Sequence, residues 1–499
     1  MKVHLMYRDQ DFDLQREPPL NEAALLQDLE LDTLFGAMAL GGKSLYDVAR
    51  SAVLGSLQDI DAIRYRQEIL KDCLTNATIV RELYQIAVAT MDSKERRWLR
   101  IFGFSNSSAG ILRNSVEMVQ LFLDILRRLR RMADEHAGAF SSEGFTTFFA
   151  MIKQELDDDY LATVQRHLTE LSFRDGVLIS AALGTGNEGA DYLLAKHKQN
   201  GQSWVQRVLT PGPTTYTFRI HPRDFPGARA LSDLKERGLN LVANALAQSS
   251  DHINSFFGLL RTELAFYIGC LNLHDKLVQL GGSVAFPAPA PAGEREHSFT
   301  GLYDVCLALT MGQSVVGNDV AADDRDMVLI TGANQGGKST FLRSIGVAQL
   351  MMQAGMFVPA VSLRANLCTG LYTHYRRQED ATMNSGKLDE ELGRMSDIVD
   401  AIGPDAMVLF NESFAATNER EGAEIAWQIT HALLERRIKL FFVTHLYAFA
   451  RGLYDRGMEN IIFLRAERKD DGERTFRLIE GAPLATSHGV DLYQQVFGT

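Results

Sequence analysis

This chain has little cysteine, little proline and no long apolar run. Its four cysteines are spread over 499 residues without Cys-x-x-Cys spacing, which argues against a zinc knuckle or a disulfide framework and predicts buried, reduced thiols. The charged N-terminal segment lacks the apolar core of a signal peptide, and no stretch of about 18 consecutive apolar residues is present. We therefore expect a cytoplasmic protein that does not enter a membrane.

Positive charge is also scarce. Lysine and arginine number 51 against 63 acidic residues, which gives a formal charge of −12, so any contact with nucleic acid must be local. In contrast, 46% of the residues are hydrophobic and only 12 are proline. This composition predicts two or three well-packed domains with little disorder.

Residues 1–285 are predicted to form a long all-α domain. Two stretches repeat apolar residues at heptad-like steps, which is typical of long packed helices and by itself indicates no function. These two seams consist of Ile111, Met118, Phe122, Ile125, Leu129 and Met132, and of Phe257, Leu260, Leu264, Tyr267 and Leu271. At about 196–229, glycines, prolines and an alternating segment around Phe218 predict an irregular insertion with a strand or hairpin.

The sequence pattern changes after residue 285. The Pro/Ala-rich stretch Phe286–Gly293 cannot continue a helix, so we expect a domain linker at 286–300. Over 301–499, short β-rich runs alternate with helical segments, which predicts an α/β domain with a parallel sheet and crossover helices. The predicted strands are Met327–Thr331, Met407–Phe410, Lys439–Val443 and Ile461–Leu464.

The first of these strands runs into the sequence TGANQGGKST. The pattern G-x-x-x-x-G-K-[ST] is met there by Gly332, Gly337, Lys338 and Ser339. Glycines let backbone N–H groups surround phosphate oxygens, and the following helix directs its positive end at them. Lys338 adds positive charge, and the hydroxyl of Ser339 is an oxygen ligand for Mg²⁺. The sequence therefore predicts a P-loop that binds nucleotide phosphates and Mg²⁺.

Two more of these strands end in polar residues. MVLFNES ends in Asn411 and Glu412, where P-loop ATPases place a metal-side carboxylate and a water-activating one. We expect Glu412 to activate water, whereas Asn411 offers Mg²⁺ only a neutral oxygen. Glu379 or Asp380 is an alternative source of the missing charge, and weaker metal binding is another outcome. LFFVTH ends at His445, which we expect to sense the γ-phosphate or to position the water.

Four segments, in this order and spacing, resemble the ATPase domain of the MutS family. They are TGANQGGKSTFLR, SGKLDEEL, LFNESFAATNEREG and VTHLYAFA. The family's loop is similar to GPNMGGKST, so Asn334 has a counterpart there, and Gly336 to Thr340 match position by position. The resemblance implies an ABC-type P-loop ATPase fold in which these residues bind ATP with Mg²⁺.

The resemblance also implies a dimer with composite sites. Ser385 lies in the SGK element, which is similar to the family's signature segment, so it is expected to reach the nucleotide of the opposite subunit. Thr417, Asn418 and Gly422 match the family's dimer-facing loop. The family's adenine-stacking aromatic residue falls near Val315 in this chain, so ATP rather than another nucleotide is inferred from the resemblance alone.

The likeness extends weakly towards the N-terminus. The stretch LQDIDAIRYRQEIL, with Arg66 and Gln67, resembles the entry to the MutS core, and the long helices resemble its levers. Because the chain begins almost at that core, we expect a shortened member that lacks the mismatch-reading and connector domains. Little preference for mismatched DNA follows.

Two basic runs are candidate contacts for DNA phosphates, although charge runs at helical spacing are usually solvated faces. One comprises Arg127, Arg128, Arg130 and Arg131, and the other places Lys94, Arg96, Arg97 and Arg100 around Trp98. The acidic run Asp157–Asp159 is interpreted as solvated helix surface.

The sequence and the resemblance together predict a MutS-like ATPase. In this hypothesis, ATP binding and hydrolysis drive a homodimeric clamp on double-stranded or branched DNA, in repair or recombination. The alternative is a nucleotide-gated clamp with little hydrolysis that acts on branched DNA or on a ribosome. Turnover at saturating Mg²⁺ separates the two.

Overall fold

The computed structural model describes most of the chain. The described residues are 1–101, 108–173, 177–187, 189–195, 219–332, 336–377, 386–468 and 474–484. They form two compact units. The first unit comprises Met1–Val3, Glu82–Ala139 and Thr147–Arg261, and the second comprises His4–Arg81, Phe140–Thr146 and the chain from Thr262 onward.

The part of the chain before residue 280 is largely helical. Its helices are α1 (Glu22–Asp28), α2 (Leu31–Ala39), α3 (Lys43–Leu54), α4 (Ile60–Thr75), α5 (Ala77–Ile101), α6 (Ser108–His136), α7 (Glu143–Glu155), α8 (Asp158–Glu170) and α9 (Phe225–Gln279). Strands β1 (Ile179–Leu183) and β2 (Gly189–Leu194) form an antiparallel hairpin that the sequence analysis did not predict.

The two predicted seams are buried to different degrees. All five residues of the second seam, on α9, are at most 1% exposed. On α6, Phe122, Leu129 and Met132 are buried, but Ile111 is 38% exposed because the buried stripe begins at Leu112. The prediction of long packed helices is confirmed, and the position of Ile111 in the seam is wrong.

The predicted insertion at 196–229 lies mostly outside the described residues, which resume at 219. Its predicted C-terminal boundary is too late, because α9 begins at Phe225. Asp224 accepts a hydrogen bond from the N–H of Gly227 at 3.0 Å, and Pro226 lies in the first turn, where its missing N–H costs nothing.

Arg66 and Gln67 lie buried on α4 within the second unit. The Arg66 guanidinium donates to the carbonyls of Met6, at 2.8 Å, and Ala354, at 3.3 Å. The side-chain amide of Gln67 donates to the carbonyl of Pro287 at 3.0 Å. The contacts with Ala354 and Pro287 join α4 to the segment that carries the two β-sheets.

The remaining elements belong to the second unit. Its further helices are α10 (Val305–Met311), α11 (Lys338–Gln353), α12 (Lys387–Ala401), α13 (Glu419–Glu435) and α14 (Tyr447–Asp455). Its strands are β3 (Ala288–Ala290), β4 (His297–Leu302), β5 (Asn318–Ala321), β6 (Met327–Thr331), β7 (Ser362–Asn366), β8 (Leu371–Tyr375), β9 (Met407–Asn411), β10 (Lys439–Val443), β11 (Ile461–Arg468) and β12 (Arg474–Glu480).

Six strands form the larger sheet, in the order β12-β11-β6-β10-β9-β8. All neighbours in it are parallel except β11 and β12. All four predicted strands are therefore confirmed. Alternate residues of β9 and β10, such as Phe410 and Phe442, face a core shared with α12 to α14. Leu409 faces α11 on the other side, so both sheet faces are buried and the strands are continuously apolar.

A second sheet has the order β3-β7-β4-β5 and corrects the expected linker at 286–300. That segment contains β3 and most of β4, and the second unit is continuous through it. Extended Ala-Pro backbone suits β3, because an edge strand tolerates the missing N–H of Pro289. The two compact units do not divide at residue 285, since the second unit begins at His4 and includes α1 to α4.

Among the described helices, α9 is long and apolar enough to cross a membrane by length and composition. Its most apolar window is 78% buried inside the protein, which is the behaviour of a core helix.

Candidate nucleotide-binding site

The carboxyl end of β6 leads into α11 through the predicted phosphate loop. Gly332 follows β6 with a φ of 117°, and Gly337, the residue before α11, has a φ of 86°. L side chains rarely adopt these values, and a Cβ on Gly332 would lie 3.0 Å from Ala466. Both positions therefore require glycine. Gly336 is buried and Thr340 is half-buried in the same turn.

Lys338 is the first residue of α11 and is buried. Its ammonium donates to the carbonyl of Gly332 at 2.9 Å, across the loop. Burial lowers the pKa of Lys338 to about 8, and the nearby Glu412 carboxylate opposes that shift. A partly desolvated ammonium at the start of a helix is well suited to an anionic group such as a phosphate.

Ser339 and Asn411 meet although 72 positions separate them. The hydroxyl of Ser339 donates to Oδ1 of Asn411 at 3.0 Å. Parallel pairing explains the proximity, because β10 lies between β6 and β9 and all three strands end at the same edge. The structure thus brings together the two oxygen-bearing side chains that were predicted to hold Mg²⁺, an ion that prefers oxygen ligands.

Glu412 and His445 also meet at this edge. Nε2 of His445 donates to Oε1 of Glu412 at 2.9 Å, and the guanidinium of Arg376 lies 3.9 Å from Oε2. The hydrogen bond from His445 is the main cause of a lowered pKa for Glu412, with help from the charges of Lys338 and Arg376 against the effect of burial. Glu412 is therefore held as an oriented carboxylate.

Four of the residues predicted from the sequence lie outside the described part of the chain. They are Asn334, Glu379, Asp380 and Ser385. The side chains of the basic run around Trp98 lie outside the described part as well.

The predicted dimer-facing residues shape the turn that follows β9. Asn418 is the N-cap of α13, and its side chain accepts the N–H of Glu421 at 3.0 Å. The hydroxyl of Thr417 donates to the Glu421 carboxylate at 2.5 Å. A Cβ on Gly422 would lie 2.4 Å from the carbonyl of Phe414, so this helix can approach the turn only with glycine there.

An aromatic residue that the sequence analysis missed lies beside the loop. Phe476 on β12 is 48% exposed, and its Cβ is 3.6 Å from where a Cβ on Gly337 would stand. Its carbonyl accepts a hydrogen bond from the side chain of Asn318 at 3.4 Å. Val315 instead lines a cavity of about 230 Å³ together with Arg477 and residues from the end of α9.

The described basic run on α6 is engaged within the first unit. Arg127, Arg128 and Arg130 form ion pairs at 3.2, 2.7 and 3.0 Å, and Arg130 also donates to two backbone carbonyls. Arg131 is exposed. In the acidic run, Asp157 is the N-cap of α8 and accepts the N–H of Tyr160 at 2.7 Å.

Two protein-family models match this chain. The model for the MutS2 N-terminal domain covers residues 58–280, and the model for MutS domain V covers residues 328–496. The chain belongs to the MutS family. The N-terminal match begins inside the stretch that carries Arg66, and the second match spans the carboxyl ends of β6, β9 and β10.

Curated relatives of this MutS-family chain carry the name DNA mismatch repair protein MutS. The protein from Leptospira interrogans is 27% identical over 304 residues, which are 59% of this chain and 35% of the relative. The protein from Synechococcus sp. is 24% identical over 367 residues, 70% of this chain and 40% of the relative. The protein from Thermotoga petrophila is 34% identical over 134 residues, 27% and 17% of the two chains. The chain spans less than half the length of these relatives.

Sequence reasoning also missed three polar residues behind Glu412 in the MutS domain V segment. His374, Ser413 and Glu391 are buried and lie next to one another. They come from β8, the turn after β9 and α12, so no short motif links them. Polar residues within otherwise apolar segments were the available signal.

Proposed function

We propose that this MutS-family chain binds and hydrolyses ATP, and that this reaction drives a dimeric clamp on DNA. One observation carries the proposal: four side chains with the required chemistry converge at the carboxyl ends of β6, β9 and β10. They are Lys338, Ser339, Glu412 and His445. The match to MutS domain V supports the same reading.

The loop between β6 and α11 would hold the phosphates. Gly332 and Gly337 free the backbone N–H groups to face the phosphate oxygens, and α11 adds the positive end of its dipole. Lys338, which now donates to the Gly332 carbonyl, would turn its ammonium to the outer phosphates. Thr340, Gly336 and, by resemblance, Asn334 belong to the same cradle.

Ser339 and Asn411 fit a Mg²⁺ ion, because their oxygen atoms are already 3.0 Å apart at the strand edge. When bound, the ion would neutralise charge on the outer phosphates. Asn411 supplies a neutral oxygen, so the protein contributes less negative charge to the metal than an aspartate would.

Glu412 would activate the attacking water. The water oxygen forms a bond to the γ-phosphorus, its proton passes to the Glu412 carboxylate, and the bond from that phosphorus to the bridging oxygen of ADP breaks. His445 orients the carboxylate through its 2.9 Å hydrogen bond. His445 therefore acts on the water through Glu412. Of the two roles that the sequence suggested, this favours positioning of the water over sensing of the γ-phosphate.

Phe476 provides an aromatic face for the base. It is half exposed on β12, and its Cβ lies 3.6 Å from where a Cβ on Gly337 of the phosphate loop would stand, so we propose that its ring stacks on the base of a nucleotide held by that loop. Stacking on a ring accepts any base, so this contact supports nucleotide binding more than a choice of ATP.

The dimer and the DNA partner rest on the family. We propose that Ser385 reaches the nucleotide of a second copy and that Thr417 and Asn418 lie at the contact between copies. DNA repair is the activity in the names of the relatives. We propose double-stranded or branched DNA as the partner of this chain, in the cytoplasm.

Steady-state ATP hydrolysis tests the proposal. The purified chain is assayed at saturating Mg²⁺ alone and with homoduplex, mismatched and four-way-junction DNA, beside Glu412→Ala. We expect turnover that DNA stimulates and that is lost in Glu412→Ala. Turnover that no DNA changes would contradict the DNA-coupled clamp, and absence of turnover would favour a nucleotide-gated clamp.

A further inference from the structure

The backbone around Glu412 is held in an uncommon conformation. We call residues Glu412–Phe414 the Glu412 loop. Glu412 and Phe414 have φ values of 55° and 63°, in the left-handed region that costs energy for residues other than glycine. Such a conformation persists only where surrounding contacts fix it. One contact comes from the sheet, where the Glu412 N–H donates to the carbonyl of Val443 at 2.9 Å.

Ser413, at the centre of the Glu412 loop, is bonded to His374 on β8. Both residues are fully buried. The Ser413 hydroxyl lies 2.5 Å from the backbone carbonyl of His374 and 2.7 Å from its Nδ1. On the other side of the ring, Nε2 of His374 lies 3.0 Å from the carbonyl of Glu391 on α12.

These contacts involve a neutral imidazole. Burial lowers the pKa of His374 to about 4, so the ring carries one proton near neutral pH. In the tautomer with the proton on Nε2, the ring donates to the carbonyl of Glu391, and the Ser413 hydroxyl donates to Nδ1 or to the His374 carbonyl. The ring therefore bridges α12 and the Glu412 loop without carrying charge.

Glu391 makes a second bridge from α12 to the same loop. Its Oε1 accepts the N–H of Phe414 at 3.1 Å, and the side chain is almost fully buried. Burial raises the pKa of Glu391, against which the Phe414 N–H and the charge of Arg394 act. A buried carboxylate oxygen that accepts a hydrogen bond from a backbone N–H fixes the position of that backbone segment. Its effect is on this segment and not on the packing of the core as a whole.

We propose that Glu391 and His374 are positioning residues for ATP hydrolysis: together they lock the centre of the Glu412 loop, at Ser413, and its end, at Phe414, to α12, and this sets where the Glu412 carboxylate points. The inference rests on the proposed function. Neither residue touches the reacting atoms, and each acts through the backbone of Glu412 or its neighbours. Misplacement of a reacting group by about 1 Å costs on the order of 100-fold in rate, so the effect falls on the chemical step.

The test separates turnover from nucleotide binding. For wild type, Glu391→Ala, Glu391→Gln and Ser413→Ala, kcat is measured with ATP, and Kd is measured with a fluorescent ATP analogue. We expect kcat to fall about 10- to 100-fold in Glu391→Ala and Ser413→Ala. We expect Kd to stay within about twofold of the wild-type value, because the phosphate loop after β6 is unchanged. We expect Glu391→Gln to recover most of kcat, because glutamine keeps an oxygen that accepts the Phe414 N–H.

Asp400→Asn is the matched control, since it removes one carboxylate from the exposed last turn of the same helix and should leave kcat unchanged. If Glu391→Ala binds no nucleotide because it is unfolded, Ser413→Ala decides. If the wild type hydrolyses ATP and kcat is unchanged in the variants that bind nucleotide, this inference alone is overturned. An equal loss of kcat in Asp400→Asn would overturn it as well. Absence of wild-type turnover would overturn the proposed function and this inference with it.

Discussion

Nε2 of His445 lies 2.9 Å from Oε1 of Glu412, and this contact joins the residues that follow two neighbouring parallel strands. The pair has a direct electrostatic consequence, because the hydrogen bond from His445 is the main reason that the pKa of Glu412 is lowered. A carboxylate that stays ionised and fixed in direction is what activation of a water molecule requires.

Replacement of His445 should shift the acidic limb of the curve of kcat against pH. In the wild type the lowered pKa keeps Glu412 ionised as the pH falls, so loss of the hydrogen bond in His445→Ala should shift the acidic limb of kcat to higher pH. The matched control is His431→Ala, on the exposed face of α13. An acidic limb at the same pH in His445→Ala and wild type would contradict a role for His445 in setting the charge of Glu412.

Asn411→Asp should strengthen the metal site. The aspartate would place a negative charge where Asn411 now accepts the Ser339 hydroxyl at 3.0 Å. We expect the Mg²⁺ concentration for half-maximal turnover to fall by about tenfold, equivalent to ~1.4 kcal/mol. An unchanged Mg²⁺ dependence would count against a metal-side position for residue 411.

Nucleotide binding should weaken at alkaline pH. With a pKa of about 8 in the free protein, Lys338 loses its proton as the pH rises through that value, and phosphate binding requires the charged form. Affinity for ATP should therefore be constant well below pH 8 and fall by up to about tenfold per pH unit above it. Calorimetry in buffers of different ionisation enthalpy should show proton uptake near pH 8, and binding without proton uptake would refute this account of Lys338.

Phe476→Ala should weaken ATP binding through the base. A lost aromatic stack costs about 1 kcal/mol, or roughly fivefold in Kd. Binding of inorganic triphosphate, which has no base, should be the same in Phe476→Ala and wild type. Equal ATP affinity in the two proteins would remove Phe476 from the site.

Four of the six strands of the larger sheet were predicted, because both faces of the sheet are covered there and the strands are apolar. Met327–Thr331 and Lys439–Val443 are continuous apolar runs with the bounds that the structure shows. The segment 286–300 was not predictable, since Pro/Ala-rich extended backbone fits a linker and an edge strand equally well, and only pairing with β7 decides between them.

The residues of the candidate site also divide into those that the sequence predicts and those that it does not. Lys338 and Ser339 lie in one local pattern, and Glu412 and His445 end strands whose neighbours follow from the fold class. The contacts of Ser413 with His374 join positions 39 residues apart and leave no local signature. Phe476 was likewise missed, because its place beside Gly337 depends on the pairing of β11 with β12.

The measurement that tests the central claim most directly is phosphate release from ATP by wild type, Lys338→Ala and Glu412→Gln, with ATP binding measured for each. We predict that the wild type binds and hydrolyses ATP, that Lys338→Ala loses binding, and that Glu412→Gln binds ATP normally while its turnover falls by about 100-fold or more. Hydrolysis at the wild-type rate in either variant would contradict the assignment of this site.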